Sequence, residues 1–144
     1  MRIVFRRVSN TRHSVEVVRS DGSRDLVELD SKDFLRHDLA HLALEIEAPL
    51  AHGVWGSVAR GGRLDGFGLN GRDVRLAERV AGRLQTIVRT EGSSRDVLAA
   101  LRAADPELAT DERASRIHAR ARALTGHWKA TRFGEEMVVE WPFG

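Results

Sequence analysis

The stretch HSVEVVRSDGSRDLVELDSKDFLRHDLAH, residues 13–41, decides the fold. Its first half alternates apolar and polar residues around β-branched valines, breaks at Asp21-Gly22, and alternates again through Leu26 and Glu28. Two runs of period two around a tight-turn dipeptide predict an antiparallel hairpin. Upstream, residues 2–8 are also β-branched and alternating, so residues 2–8, 13–19 and 24–30 read as a three-stranded meander. Asp30-Ser31 then supplies a helix N-cap, Asp33 falls in the first turn, and Pro49 follows a helix expected over residues 32–48. At about 100° per residue, Leu35, Leu39, Leu42 and Ile46 share one face, expected to pack on the sheet.

Residues 52–71 differ in kind. Gly53, Gly56, Gly61, Gly62, Gly66, Gly68 and Gly71 crowd around Trp55 and Phe67. The segment is too long for a simple connection and reads as a functional or aromatic-anchored loop. A second helix is expected over 72–90, with Val74, Ala77, Ala81, Leu84 and Val88 on one side and Gly92 at its end. Ser93, Ser94 and Asp96 cap a short third helix ending near Ala104. Asp105-Pro106 opens a fourth, expected to end at Gly126, with Thr110 a point where it can restart. Residues 137–141 read as a strand, paired either with 128–133 across Gly134 or with the N-terminal sheet. The expected fold is α+β: one domain with a small antiparallel sheet, N-terminal meander plus C-terminal strand, and three to four helices largely on one face.

Composition narrows the chemistry. There is no cysteine, so disulfides, thiol nucleophiles and thiolate metal sites are excluded, in keeping with a cytoplasmic setting. The N-terminus has no long apolar segment behind it, so a signal peptide is not expected, and no run suits a membrane span. The pI near 9.9 contrasts with a net charge of only +2. With no Tyr or Cys and only two Lys (Lys32, Lys129), little titrates between the histidines and the arginines, and a small Arg excess carries the pI upward.

The candidate site lies in the first helix, at His37-Asp38-Leu39-Ala40-His41 with Glu45 beyond. Histidines at i and i+4 stand one turn apart and can share a metal ion. His37, Asp38, His41 and Glu45 fall within about 100° of arc, away from the leucine stripe. Glu45 is eight residues from His37, about 12 Å along the axis, so it is expected to orient His41 through a hydrogen bond rather than to share its ion. A third ligand must come from elsewhere, with His13, His52, His127 and Asp65 as the options.

The spacing resembles the H-E-x-x-H helix of zinc metallopeptidases, in which the Glu acts as general base on the metal-bound water. Here Asp38 replaces that Glu and is one methylene shorter. His37-Asp38 also resembles the His-Asp dyad of metal-dependent phosphohydrolases, which add a helical histidine upstream; here that place holds only His13, in a strand region. More widely, Phe34-Leu35-x-His37-Asp38-Leu39-x-His41, Gly53-x-Trp55-Gly56 and Trp128-Lys129-Ala130-Thr131-x-Phe133-Gly134 look like small uncharacterised bacterial proteins. That similarity would cover most of the chain and implies no particular activity.

Two functions are expected from these residues. The first is a divalent-metal protein, zinc foremost, with His37 and His41 as ligands, Asp38 as general base or outer carboxylate, Glu45 as orienter, and hydrolase-like potential. The glycine-rich segment, with Trp55, would then be a flexible cover. The second is a non-enzymatic interaction module for a protein or anionic partner, with the histidine face purely structural and hydrogen-bonded to the glycine-rich loop. Arg72, Arg75, Arg79 and Arg83 on the second helix and Arg113, Arg116 and Arg120 on the fourth form the stripes it would use. They are interspersed with Glu78, Asp111 and Glu112 and read first as solvated faces. No helix–turn–helix, aromatic platform or Walker loop supports a nucleic-acid partner, and Gly66-x-Gly68-x-x-Gly71 follows no strand. Ser57 and Ser94 lack a neighbouring base. Trp141 is expected on the sheet or in a homodimer contact.

Overall fold

The N-terminal alternation yields three strands, β1 (Arg2–Arg7), β2 (Arg12–Val18) and β3 (Arg24–Asp30), in a computed structural model that describes residues 1–143. A fourth strand, β4 (Glu136–Glu140), pairs antiparallel with β1, giving the order β3-β2-β1-β4. The C-terminal strand thus joins the N-terminal sheet. Pairing with residues 128–133 does not occur, because residues 128–130 are still helical.

Register explains the two faces. The row Val27–Val15–Phe5–Met137 and the row beside it, through Val17, Ile3 and Val139, point inward and bury their strand-centre side chains. The outer face carries cross-strand ion pairs, Arg2 with Glu140, Arg6 with Glu136, Arg12 with Glu28 and Arg24 with Glu16.

Helix α1 (Ser31–Glu47) starts where Asp30 accepts a hydrogen bond from the Lys32 N–H. It packs against β2 and β3 on one side and against α3 (Arg72–Arg89) and α5 (Asp111–Ala130) on the other. It is therefore buried around most of its circumference: Ala40, His41, Ala43, Leu44 and Glu45 are inside along with the leucines. A helix so placed has no wholly solvated face, and the polar stripe of α1 is a buried seam.

Residues 60–71 run as the turns and irregular loop expected from their glycines, with Phe67 exposed and not an anchor, but residues 54–59 do not. Val54–Ala59 forms a short helix, α2, which buries Trp55 and Val58. Helix α4 (Ser94–Ala104) begins at a reciprocal Ser93/Asp96 capping box and closes over α3 and α5. Asp105-Pro106 opens only a 3-10 turn, Pro106–Leu108, and Thr110 caps α5 by accepting from the Arg113 N–H. Gly126 does not end α5, which continues for four residues because its apolar positions Leu124 and Trp128 still face the core. Trp141 is buried and packs edge-on to Phe143, so it is a core side chain of this fold. Among the described residues no helix is long and apolar enough to cross a membrane.

Candidate metal centre

Glu45 is the keystone of the seam. It is wholly buried, and a buried carboxylate is tolerated only if its lone pairs are satisfied. Four donors meet it: the His41 Nδ1–H at 3.0 Å, the Val54 and Trp55 amides at 2.9 Å each, and the Gly56 amide at 3.4 Å. These amides belong to the first turn of α2, whose open N–H groups and positive dipole end suit a carboxylate. Gly53 makes the approach feasible, because a Cβ there would lie 2.5 Å from the Glu45 carboxyl carbon. Gly56 likewise lets α2 close on the Ala51 carbonyl, which a Cβ would overlap. These glycines serve close packing, not a flexible cover.

Because Glu45 takes the Nδ1 proton of His41, His41 Nε2 is turned away from α2 toward α3. It lies 3.1 Å from His37 Nε2 and 3.3 Å from Glu78 Oε1. Glu78 Oε2 in turn accepts from His37 Nε2 at 3.1 Å. Ligand atoms of His37, His41 and Glu78 all lie within 4.8 Å of one another. The two rings meet edge-on, centroids 4.6 Å apart. The cluster runs from buried to open: His41 is 2 % exposed, the His37 side chain 31 % and that of Glu78 52 %.

The electrostatics follow from this packing. Burial alone would lower the pKa of His41, but the hydrogen bonds and charges of Glu45 and Glu78 outweigh it and push it up to about 9. The hydrogen bond from His41 holds Glu78 down to about 2 against partial burial, with the charges of both histidines assisting. Asp38 behaves differently. Burial pushes its carboxyl up to about 7, with the charge of His41 opposing and that of Glu78 adding. Asp38 lies outside the three-residue cluster, on a small cleft lined by Val15, Val27, Trp55 and Leu64. Its backbone carbonyl accepts from Trp55 Nε1 at 3.2 Å.

The structure thus brings together His37, His41 and Glu45 as the sequence suggested and sets Asp38 apart. The third group is Glu78, not one of the four expected candidates. His13 lies on the inner face of the sheet, bonded to Ser31 and ringed by Phe5 and Trp128. His52 and His127 are exposed elsewhere, and Asp65 is paired with Arg63. Among the arginine stripes, that of α5 is occupied internally: Arg116 and Arg120 bind Glu47, and Arg113 donates to the Leu108 carbonyl. On α3, Arg72 pairs with Asp105.

Comparison with protein-family models, with curated proteins and with solved structures found no match for the chain.

Proposed function

We propose that the α1–α3 seam binds one divalent metal ion through His37 Nε2, His41 Nε2 and a Glu78 carboxylate oxygen. The observation that carries this reading is the convergence of three ligand atoms within 4.8 Å of one another on two packed helices. Two histidines and one carboxylate are an accepted donor set for zinc and for iron(II), and zinc is the first choice for this borderline set of ligands. Support comes from Glu45, which accepts the Nδ1 proton of the deeper histidine and so presents its Nε2 lone pair to the ion, as outer carboxylates do around metal-bound histidines. His37 and Glu78 are partly exposed, so solvent would reach an ion held there.

In the hydrolytic extension of this proposal, an ion held by His37, His41 and Glu78 would supply activation of water toward a carbonyl or phosphoryl centre. Asp38 lies apart from the three ligands but carries a carboxyl that burial pushes up to about 7 and that senses the charges of His41 and Glu78, and it would serve as the proton acceptor. It predicts that Asp38→Asn retains metal but loses turnover of nitrophenyl esters or phosphates. Equal turnover in both proteins would remove Asp38 from the chemistry.

A second reading is favoured by one observation: the same cluster is satisfied by a proton. His41 as imidazolium donates to Glu45 and faces Glu78, a structural ion-pair network joining α1 and α3. Elemental mass spectrometry of untagged protein separates the two readings. The metal reading expects close to one zinc, iron, nickel or manganese per chain, lost in His41→Ala and in Glu78→Ala. No stoichiometric metal as purified, and none taken up on dialysis against each ion, supports the structural network and overturns the metal site.

A further inference from the structure

A second concavity lies on the neighbouring face of α1. Arg36 and Ala40, each one residue before a histidine of the metal centre, line a cavity of about 410 Å³ enclosed by α1, the end of α3 and the second half of α5. Its volume falls within the range of small-molecule sites. Arg36, Arg89, Arg122 and Lys129 surround it, against one carboxylate, that of Glu91. Among the described residues none of these four cations has an ion pair or a side-chain hydrogen bond to the chain. Arg75, Arg79, Arg83, Arg95 and Arg102 are likewise unpaired among the described residues, so what distinguishes these four is that they line one hollow.

Helix dipoles account for part of this set and not for all of it. Arg89 and Lys129 lie in the last turns of α3 and α5, where a cation is favoured. Arg36 lies early in α1 and Arg122 in the middle of α5, where no such gain exists. Gathering four like charges around one hollow raises their mutual repulsion unless an anion enters it. The floor is apolar at Ala40, Val88 and Ala121, which suits the organic part of a ligand.

We propose that this cavity binds a small phosphate-bearing molecule, with Arg36, Arg89, Arg122 and Lys129 holding the phosphate oxygens. Three guanidinium forks match phosphate geometry, and a phosphate ester or diphosphate carries enough charge to balance the set. The hollow is closed on three sides by helices, which fits a compact ligand and not an extended strand. The proposal does not depend on the metal centre.

Calorimetric titration of the full chain in low salt with a chelator present tests it, using sodium pyrophosphate, AMP, ATP and citrate as probes. At least one phosphate compound should bind at one site per chain. Arg89→Gln and Arg122→Gln should each weaken it about tenfold or more, as should the pair Arg36→Gln with Lys129→Gln, while Arg2→Gln on the sheet leaves it unchanged. AMP binding more tightly than pyrophosphate would add a role for the apolar floor. The proposal is overturned if no phosphate compound binds, if the cavity variants bind like wild type, if citrate outcompetes every phosphate compound, or if only single-stranded RNA binds and mononucleotides do not.

Discussion

Glu45 shows how much one side chain can determine. It closes α2, accepts from His41 Nδ1–H and is wholly buried. Glu45→Gln keeps the volume but sets an amide N–H₂ against donors. The expected cost is about 3 kcal/mol, read from urea unfolding, and a variant within about 0.5 kcal/mol of wild type would show that the carboxylate is not needed. His13 gives the pH dependence at this scale. Its ring is buried with Nε2 unpartnered, and burial, aided by Arg12, lowers its pKa to about 4. The unfolded chain therefore binds this proton near pH 6.5 and the folded chain only near 4. Between those values the unfolded state holds more protons, so stability falls as pH falls, by at most about 1.4 kcal/mol per pH unit from this group, and the contribution levels off below pH 4. His13→Gln should show a shallower loss of stability across that window. An identical slope would mean that the ring is protonated in the fold.

At the scale of elements, two glycine substitutions should move stability in opposite directions. Gly53 has an ordinary φ of −71°, so Gly53→Ala carries no backbone strain; its cost is the clash with Glu45, about 1–3 kcal/mol. Gly82 lies inside α3 with open space around it, and Gly82→Ala should gain about 1 kcal/mol of helix propensity. Thermal or urea unfolding of the two variants checks both signs. The pair also shows what was legible in the sequence. Strands β1 to β3 and the start of α1 could be read because period and caps are local signals. Helix α2 could not, because its six residues include a glycine and depend on Glu45, at least nine positions earlier, to hold their first amides. From sequence, Trp55 between glycines reads as the anchor of a loop. Glu78 is hidden in the sequence for a related reason. It borders the apolar stripe of α3 beside Ala77 and Ala81 and looks like one more acid among arginines until α3 is docked on α1. The edge of a buried helix face was the available clue, but which edge meets which helix is a tertiary fact.

At the scale of the molecule, the proposed ion would tie α1 to α3, two helices separated in sequence by α2 and a glycine-rich turn region. Without the ion, the contact rests on apolar packing and on a doubly protonated His41, with Nδ1–H directed at Glu45 and Nε2–H at Glu78. A metal that binds only the folded chain adds stability by mass action, about 2.7 kcal/mol at a hundred times its dissociation constant. Zinc titrated into chelator-treated protein should therefore raise the melting temperature progressively with concentration. Metal and proton compete for His41 Nε2, so the stabilisation at fixed zinc should grow as pH rises. Glu78→Ala should remove the zinc-dependent rise at a smaller cost to the metal-free fold than His41→Ala, since its side chain is half exposed. His41→Ala should remove the rise and also destabilise the fold, because Glu45 would lose its histidine donor. A zinc response that survives Glu78→Ala would place the ion elsewhere, and no response in wild type would leave the proton as the link between the two helices.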